Sequence, residues 1–377
     1  LQPTAIAATI TISIKRRIMP LPVLNCAATA PTGREKRGIH RVNTLPLLAI
    51  TTGDPAGIGP EISLRAAQEA ALRTEARLLL IGDRAVLSAI NGTLGLGAKF
   101  RFLDDPLALP EDVGANPAEI DVLDAGLLPE ALPHGRPTAL TGQASYQYIL
   151  LSILLARKAL IQGVVTAPIS KVALHAAGVP FPGHTEIYGE MLASPGYAML
   201  MYSPTMATGL VTCHQSLASV PAALTSERIG LVARLMDATL ARLRGHRPRL
   251  AVLGLNPHAG EQGLFASEEI DIVAPAIESL RDEGFDVTGP LPPDTAFTRA
   301  ALARFDGHVC LYHDQGLIPF KMACFDEGVN ITMGLPVVRT SVDHGTAFDL
   351  AGKGTARIES MIEAVRVAAR LAEKTIV

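Results

Sequence analysis

Tryptophan is absent from the 377 residues, and aromatic residues make up only 4% of them. A chain so poor in flat rings has few platforms for stacked bases. Its net charge of -3 supplies no pull toward a polyanion, so no nucleic-acid partner is expected. Long apolar runs are missing too. The strongest, near Tyr148 to Ala156, is cut by Arg157 and Lys158; it is too short to span a bilayer and predicts a buried helix and no membrane partner. The four cysteines, Cys26, Cys213, Cys310 and Cys324, form no CxxC pair, which fits reduced thiols and a cytoplasmic location. The first 34 residues lack Asp and Glu but carry Lys15, Arg16, Arg17 and Arg34. Such a leader resembles an organelle-targeting segment. With Met19 as an internal candidate start, residues 1–44 read instead as an extension outside the fold.

What remains is 48% hydrophobic and 18% charged, the composition of a well-buried globular protein long enough for two α/β lobes. Strand-like runs at Leu45–Thr51, Leu78–Ile81, Gly163–Thr166, Leu210–Thr212, Arg249–Leu255 and Val309–Tyr312 alternate with helical stretches, notably Thr141–Leu160 and Ile358–Glu373. That alternation predicts an α/β fold with a mostly parallel sheet. Residues 104–140, rich in Pro, Gly and Asp, read as irregular connections. The first strand runs into Gly53-Asp54-Pro55-Ala56-Gly57-Ile58-Gly59-Pro60-Glu61, where Pro60 suits the first turn of a helix. Such a turn can cradle an anion or simply be tight. The third glycine of the Rossmann fingerprint and the Walker lysine are both missing.

Three strand ends are each followed within a few residues by a histidine: His214, His258 and His313. If those strands are parallel neighbours, the imidazoles share one edge of the sheet, and three His with an open position is a common catalytic metal set. The segment from Tyr312-His313-Asp314-Gln315-Gly316 through Lys321, Asn330 and Arg339 reads as polar loop chemistry after a buried strand, suited to a small, charged, phosphorylated substrate and a metal. His184 and Thr185 precede a helix that Thr185 could cap, where free N–H groups favour phosphate. Asp294 sits in the proline-rich turn Gly289–Phe297. Glycines in Val342–Gly354 allow close approach of a ligand.

These motifs together, GDPAGIGPE, VTAPISK, PGHTE, GLNPHAGE, GPLPPDTAF, YHDQGLIPFK and GVNITMGLPVVRTSVDHGTAFDLAGKG, resemble the 4-hydroxythreonine-4-phosphate dehydrogenase family from residue 46 onward. The resemblance implies an isocitrate/isopropylmalate dehydrogenase-like fold over residues 45–377: two α/β/α lobes, not a Rossmann fold, with the active site in the cleft between them. It implies a homodimer that shares that site, NAD (or NADP) and one divalent metal per site (zinc, magnesium or cobalt). By resemblance, His214, His258 and His313 hold the metal, one of them lent across the dimer. His184, Thr185, Lys321, Asn330 and Arg339 contact substrate, Lys321 or Asp294 takes the proton, and His344, Gly345, Thr346, Ala347 and Gly352 belong to the NAD loop. The implied reaction oxidises 4-phosphohydroxy-L-threonine to 2-amino-3-oxo-4-phosphooxybutanoate, which loses CO2 to give 3-amino-2-oxopropyl phosphate in vitamin B6 synthesis. A paralogue acting on threonate or erythronate 4-phosphate would show nearly the same motifs, and Ala167 in TAPISK is compatible with it. A phosphate acetyltransferase-like enzyme would not need the three histidines, and a non-catalytic phosphate binder would form no NADH with any substrate.

Overall fold

The computed structural model describes residues 45–373. The expected extension at 1–44, with Cys26, lies outside the described residues. Twelve strands form one sheet: β1 (Leu47–Thr51), β2 (Arg77–Gly82), β3 (Phe100–Leu103), β4 (Ile120–Asp124), β5 (Gly163–Thr166), β6 (Ala198–Tyr202), β7 (Ala207–Leu210), β8 (Leu250–Leu253), β9 (Val287–Leu291), β10 (Gly307–Cys310), β11 (Val329–Met333) and β12 (Val338–Val342). Their order is β3-β4-β2-β1-β5-β12-β11-β6-β7-β10-β8-β9. The strands from β3 to β12 are mutually parallel, as are those from β7 to β9. Between them β11 and β6 form an antiparallel seam, so the two parallel blocks run in opposite directions within one sheet.

Leu47–Ile50 of β1 and Leu78–Ile81 of β2 are apolar because both faces of these central strands are covered. In β1, Leu48 and Ile50 enter one core and Leu47 and Ala49 another, as side-chain alternation requires. The helix Glu359–Glu373 packs across β12, β5 and β11, and its partner Ser226–Arg244 covers β10 and β7, so on this face one core runs through both blocks. On the opposite face there are two cores. One lies under the helix Ala139–Arg157, and the other under the helix His313–Cys324. The seam between these two cores is not capped, and that gap is the cleft.

Several expectations need correction. The stretch 104–140 contains β4, which pairs with β2 and β3. Asn330 and Arg339 stand on the paired strands β11 and β12 rather than on a loop. His313 opens a helix that continues through Pro319 to Cys324, where the sequence read as a loop. Gly316 is there because a Cβ would meet the Cys310 side chain at 3.0 Å. Thr185 lies inside the helix His184–Met191, whose N-cap is Gly183 with no side-chain cap bond. The glycines of the first turn prove to be packing residues: a Cβ on Gly53 would lie 2.2 Å from the Pro168 carbonyl oxygen, and one on Gly59 2.2 Å from that of Thr52.

His308 on β10 is 1% exposed, its ring 4.8 Å from Phe297 and 6.1 Å from Phe305. Neither ring nitrogen has a hydrogen-bond partner. Burial pushes its pKa down to about 4, offset only in part by the nearby backbone of Ala296 and Ala207. A depressed folded-state pKa means that the unfolded chain binds the proton first, so stability is intact above the ordinary histidine range and is lost as pH falls toward 4. We expect His308→Leu to remove about 3 kcal/mol of the acid-induced loss between pH 7 and pH 4. Urea unfolding of both proteins at the two pH values checks this, and parallel losses in the two would contradict it.

Candidate active site

The cleft holds a cavity of about 610 Å³. Its floor is a single row across four strands: Thr166 of β5 pairs with Ser341 of β12, Ser341 with Asn330 of β11, and Asn330 with Met201 of β6. Side chains in register share a face, so this row points into the cleft together with Arg339, two positions before Ser341. Thr340 between them turns the other way and donates to the Ala364 carbonyl of the covering helix at 2.8 Å.

Arg339 is 2% exposed. Its Nη1 donates to Thr332 Oγ1 at 2.9 Å and its Nη2 to Thr166 Oγ1 at 2.6 Å, while Nε has no partner. It forms no salt bridge among the described residues; its charge rests 5.9 Å above the ring of Tyr188. Burial lowers its pKa to about 10, with Tyr188 and Glu186 opposing. A guanidinium held this way calls for an anion. Beside it, His184 has a shielded Nε2 without a partner, and burial together with Arg339 holds its imidazole well below the usual pKa. Gly183, His184, Thr185 and Glu186 all line the cavity, so the start of their helix offers backbone N–H groups to the same anion. Asn330 Oδ1, Asp343 Oδ2 and His344 Nε2 are also buried without partners, and all belong to lining residues. Unpaired buried polar atoms on one cavity wall mark a surface built to bind.

The histidine-bearing strands β7, β10 and β8 are parallel neighbours, as the sequence reading required. His214 and His313 meet at the cavity, ring centroids 5.7 Å apart. His313 Nδ1 lies 2.6 Å from Asp314 Oδ1, and a carboxylate only accepts, so Nδ1 is the donor and Nε2 is the nitrogen turned toward a ligand. Burial lowers the pKa of His214, with Lys171 adding to the effect and Glu186 opposing it. Two facing imidazoles with a carboxylate behind one of them fit two ligands of a divalent ion. His258 does not join them: it is exposed, outside the cavity, with its ring 6.3 Å from that of Phe265. Among the described residues no group of three His, Cys, Asp or Glu gathers as a metal site.

A family model described as pyridoxal phosphate biosynthetic protein PdxA matches residues 74–368. The chain belongs to the PdxA family. It is 43% identical over 334 residues to D-threonate 4-phosphate dehydrogenase of Cupriavidus necator, covering 88% of this chain and 98% of the relative. It is 42% identical over 334 residues to 4-hydroxythreonine-4-phosphate dehydrogenase of Trichlorobacter lovleyi, covering 87% and 98%. The crystal structure of 4-hydroxythreonine-4-phosphate dehydrogenase from Klebsiella pneumoniae matches with TM-score 0.76 at 42% identity, covering 87% of this chain and 98% of that one. This PdxA-family chain is therefore an oxidoreductase.

Of the residues singled out in the sequence, His184, Thr185, Lys321, Asn330, Arg339, His214, His313, His344 and Gly345 line the cavity. Thr346 does not; its carbonyl accepts from Ile58 N at 3.0 Å, which locks the GDPAGIGPE turn against the HGTA turn. Ala347 packs at φ 37° beside the core, and Gly352 faces His134, whose ring a Cβ would meet at 2.5 Å. Asp294 is exposed and outside the cavity. Sequence reasoning missed Asp343. Its Oδ1 lies 3.3 Å from Lys321 Nζ, and Lys321 Nζ also reaches its carbonyl oxygen at 3.4 Å. Burial raises the pKa of Asp343, with Lys321 opposing. The only available signal was its place beside His344, where it read as loop. No helix among the described residues is long and apolar enough to cross a membrane.

Arg339→Met should raise the stability of the ligand-free protein by about 1–2 kcal/mol, because it removes an uncompensated buried charge. The same change should abolish the rise in melting temperature that inorganic phosphate gives the wild type. Thermal melts with and without phosphate test both halves; an equal phosphate shift in the variant would place the anion elsewhere.

Proposed function

We propose that this chain is an NAD-dependent, divalent-metal-dependent dehydrogenase of 4-phosphohydroxy-L-threonine. The observation that carries the reading is Arg339, buried without a carboxylate at the floor of a cavity where His214 and His313 face each other. A phosphorylated hydroxy acid supplies the anion, and its phosphate fits Arg339, His184 and the N–H groups at Gly183–Glu186.

The metal would be held by His214 and His313, with His258 supplied by a second copy of the chain. Supporting that arrangement, exposed His258 lies 6.3 Å from the ring of Phe265, in a segment that also exposes Leu264 and Ile270. When bound, such an ion polarises the substrate hydroxyl and the neighbouring carboxylate. His344 and Gly345 suit NAD, the hydride acceptor: His344 Nε2 has no partner, and no atom lies within 4 Å of where a Cβ on Gly345 would stand.

Lys321 and Asp343 are the proton-handling pair. Lys321 Nζ is held between the Asp343 carboxylate and carbonyl, and it faces the cavity from the helix that carries His313 about two turns earlier. Nζ can pass a proton to the Asp343 carboxylate and take the hydroxyl proton in its place, which leaves Asp343 protonated and the ammonium restored. Asp294 lacks comparable access within one chain.

A second reading has one observation in its favour, the similarity to the Cupriavidus necator relative: D-threonate 4-phosphate in place of the amino acid. The two substrates differ by an ammonium against a hydroxyl, so turnover of both must be compared directly. We expect NADH formation from 4-phosphohydroxy-L-threonine that a chelator stops. Turnover of D-threonate 4-phosphate alone would favour the second reading, and no NADH from either substrate with metal present would sink both. Lys321→Met should cost about 10²-fold or more in kcat. Retained activity with an unchanged pH–rate profile would remove Lys321 from proton transfer.

A further inference from the structure

The segment that carries His258 has an unusual backbone. His258, Ala259, Gly260, Glu261 and Gln262 follow one another at φ 54°, 54°, 79°, 44° and 56°, one complete left-handed turn. All but Gly260 carry a Cβ that this conformation crowds against the following carbonyl, so the turn does not form for local reasons. A run of this kind persists only where its surroundings over-determine it.

The surroundings are specific. Glu269, 3% exposed, opens a single π-helical turn, Glu269–Val273. Its Oε1 accepts from Leu255 N and Asn256 N, both at 2.7 Å, and its Oε2 accepts from Asn256 Nδ2 at 3.0 Å. Asn256 Nδ2 also reaches Glu268 Oε2 at 2.9 Å. Two glycines make room for this carboxylate: a Cβ on Gly260 would lie 2.6 Å from Oε2, and one on Gly254 3.2 Å from Oε1. On the other side of the strand end, Gln315 Nε2 donates to the Gly254 carbonyl at 2.8 Å while its Oε1 accepts from Leu311 N at 2.7 Å. The base of the left-handed turn is thus tied to the strand end that carries His313.

We propose that Glu269 is a positioning residue for His258: its buried carboxylate holds the entry to the left-handed turn and so fixes where that imidazole is presented. This rests on the reading of His258 as a metal ligand. It adds the reason that the ligand sits on a crowded turn, where a relaxed loop would let the ring wander and weaken the metal. Glu269→Gln puts an amide N–H₂ where donors now converge, and should release the turn without emptying the space.

The test uses the full chain stripped of metal. Zn²⁺ affinity is measured by competition with a chromophoric chelator well below the melting temperature, and unfolding is followed without metal. We expect Glu269→Gln to unfold cooperatively and to bind Zn²⁺ about 10- to 100-fold more weakly. His258→Ala should weaken binding at least as much. A folded Glu269→Gln protein with wild-type Zn²⁺ affinity overturns the proposal, because a merely structural role lowers the melt and leaves affinity alone. If Glu269→Gln does not fold, Asn256→Ala decides: it keeps both backbone donors to Glu269 and should show a smaller loss of affinity, and wild-type affinity in it overturns the proposal equally. Wild-type affinity in His258→Ala would instead defeat the ligand reading itself, and this proposal with it.

Discussion

The cleft depends on alternation along two strands. Where β12 meets β11, Thr340 is bound to the covering helix, and Arg339 and Ser341 are therefore committed to the opposite, uncapped face. A one-residue slip in this pairing would bury the hydroxyl and turn the guanidinium into the apolar core. The continuous core on the covered face, running from β1 to β8, holds the register. The two separate cores on the other face leave the gap into which the row Thr166, Ser341, Asn330 and Met201 points.

Polar bonds across the strand ends then set the spacing of the imidazoles. Thr212 Oγ1 donates to the Leu311 carbonyl at 2.7 Å, and Gln315 bridges Leu311 and Gly254. The loops carrying His214, His258 and His313 thus spring from one stitched edge. The site is costly in isolation: a guanidinium without a carboxylate and several unpaired polar atoms line the cleft. Such features are kept where a ligand completes them, and the apolar mass beneath the sheet supplies the stability they lack.

Much of this was legible in the residues. Continuous apolar runs announced buried parallel strands, and a histidine after each of three strand ends was legible because strand ends and polar loops are local features; that these strands are neighbours is supplied by the pairing of β7, β10 and β8. Less was legible where punctuation misled. His313, Asp314 and Gly316 read as a loop and hid the helix that carries His313 and Lys321, and Gly316 is explained only by its contact with Cys310 on the neighbouring strand. Asp343 escaped notice because nothing near it in the sequence announces Lys321, on another element. Asp294 was named by resemblance, and within one chain it is exposed and outside the cavity.

The sequence by itself determined the α/β class and singled out most of the polar residues that line the cavity, since residue type and short-range spacing carry that information. Only the tertiary structure decided which of those residues meet. Arg339 and Thr166 come together through strand pairing, His214 and His313 through neighbouring strand ends, and Lys321 and Asp343 across a helix and a strand end. His258 stays outside the cavity that holds the other two imidazoles. Register and crossover order are long-range properties, and no local pattern of residues encodes them.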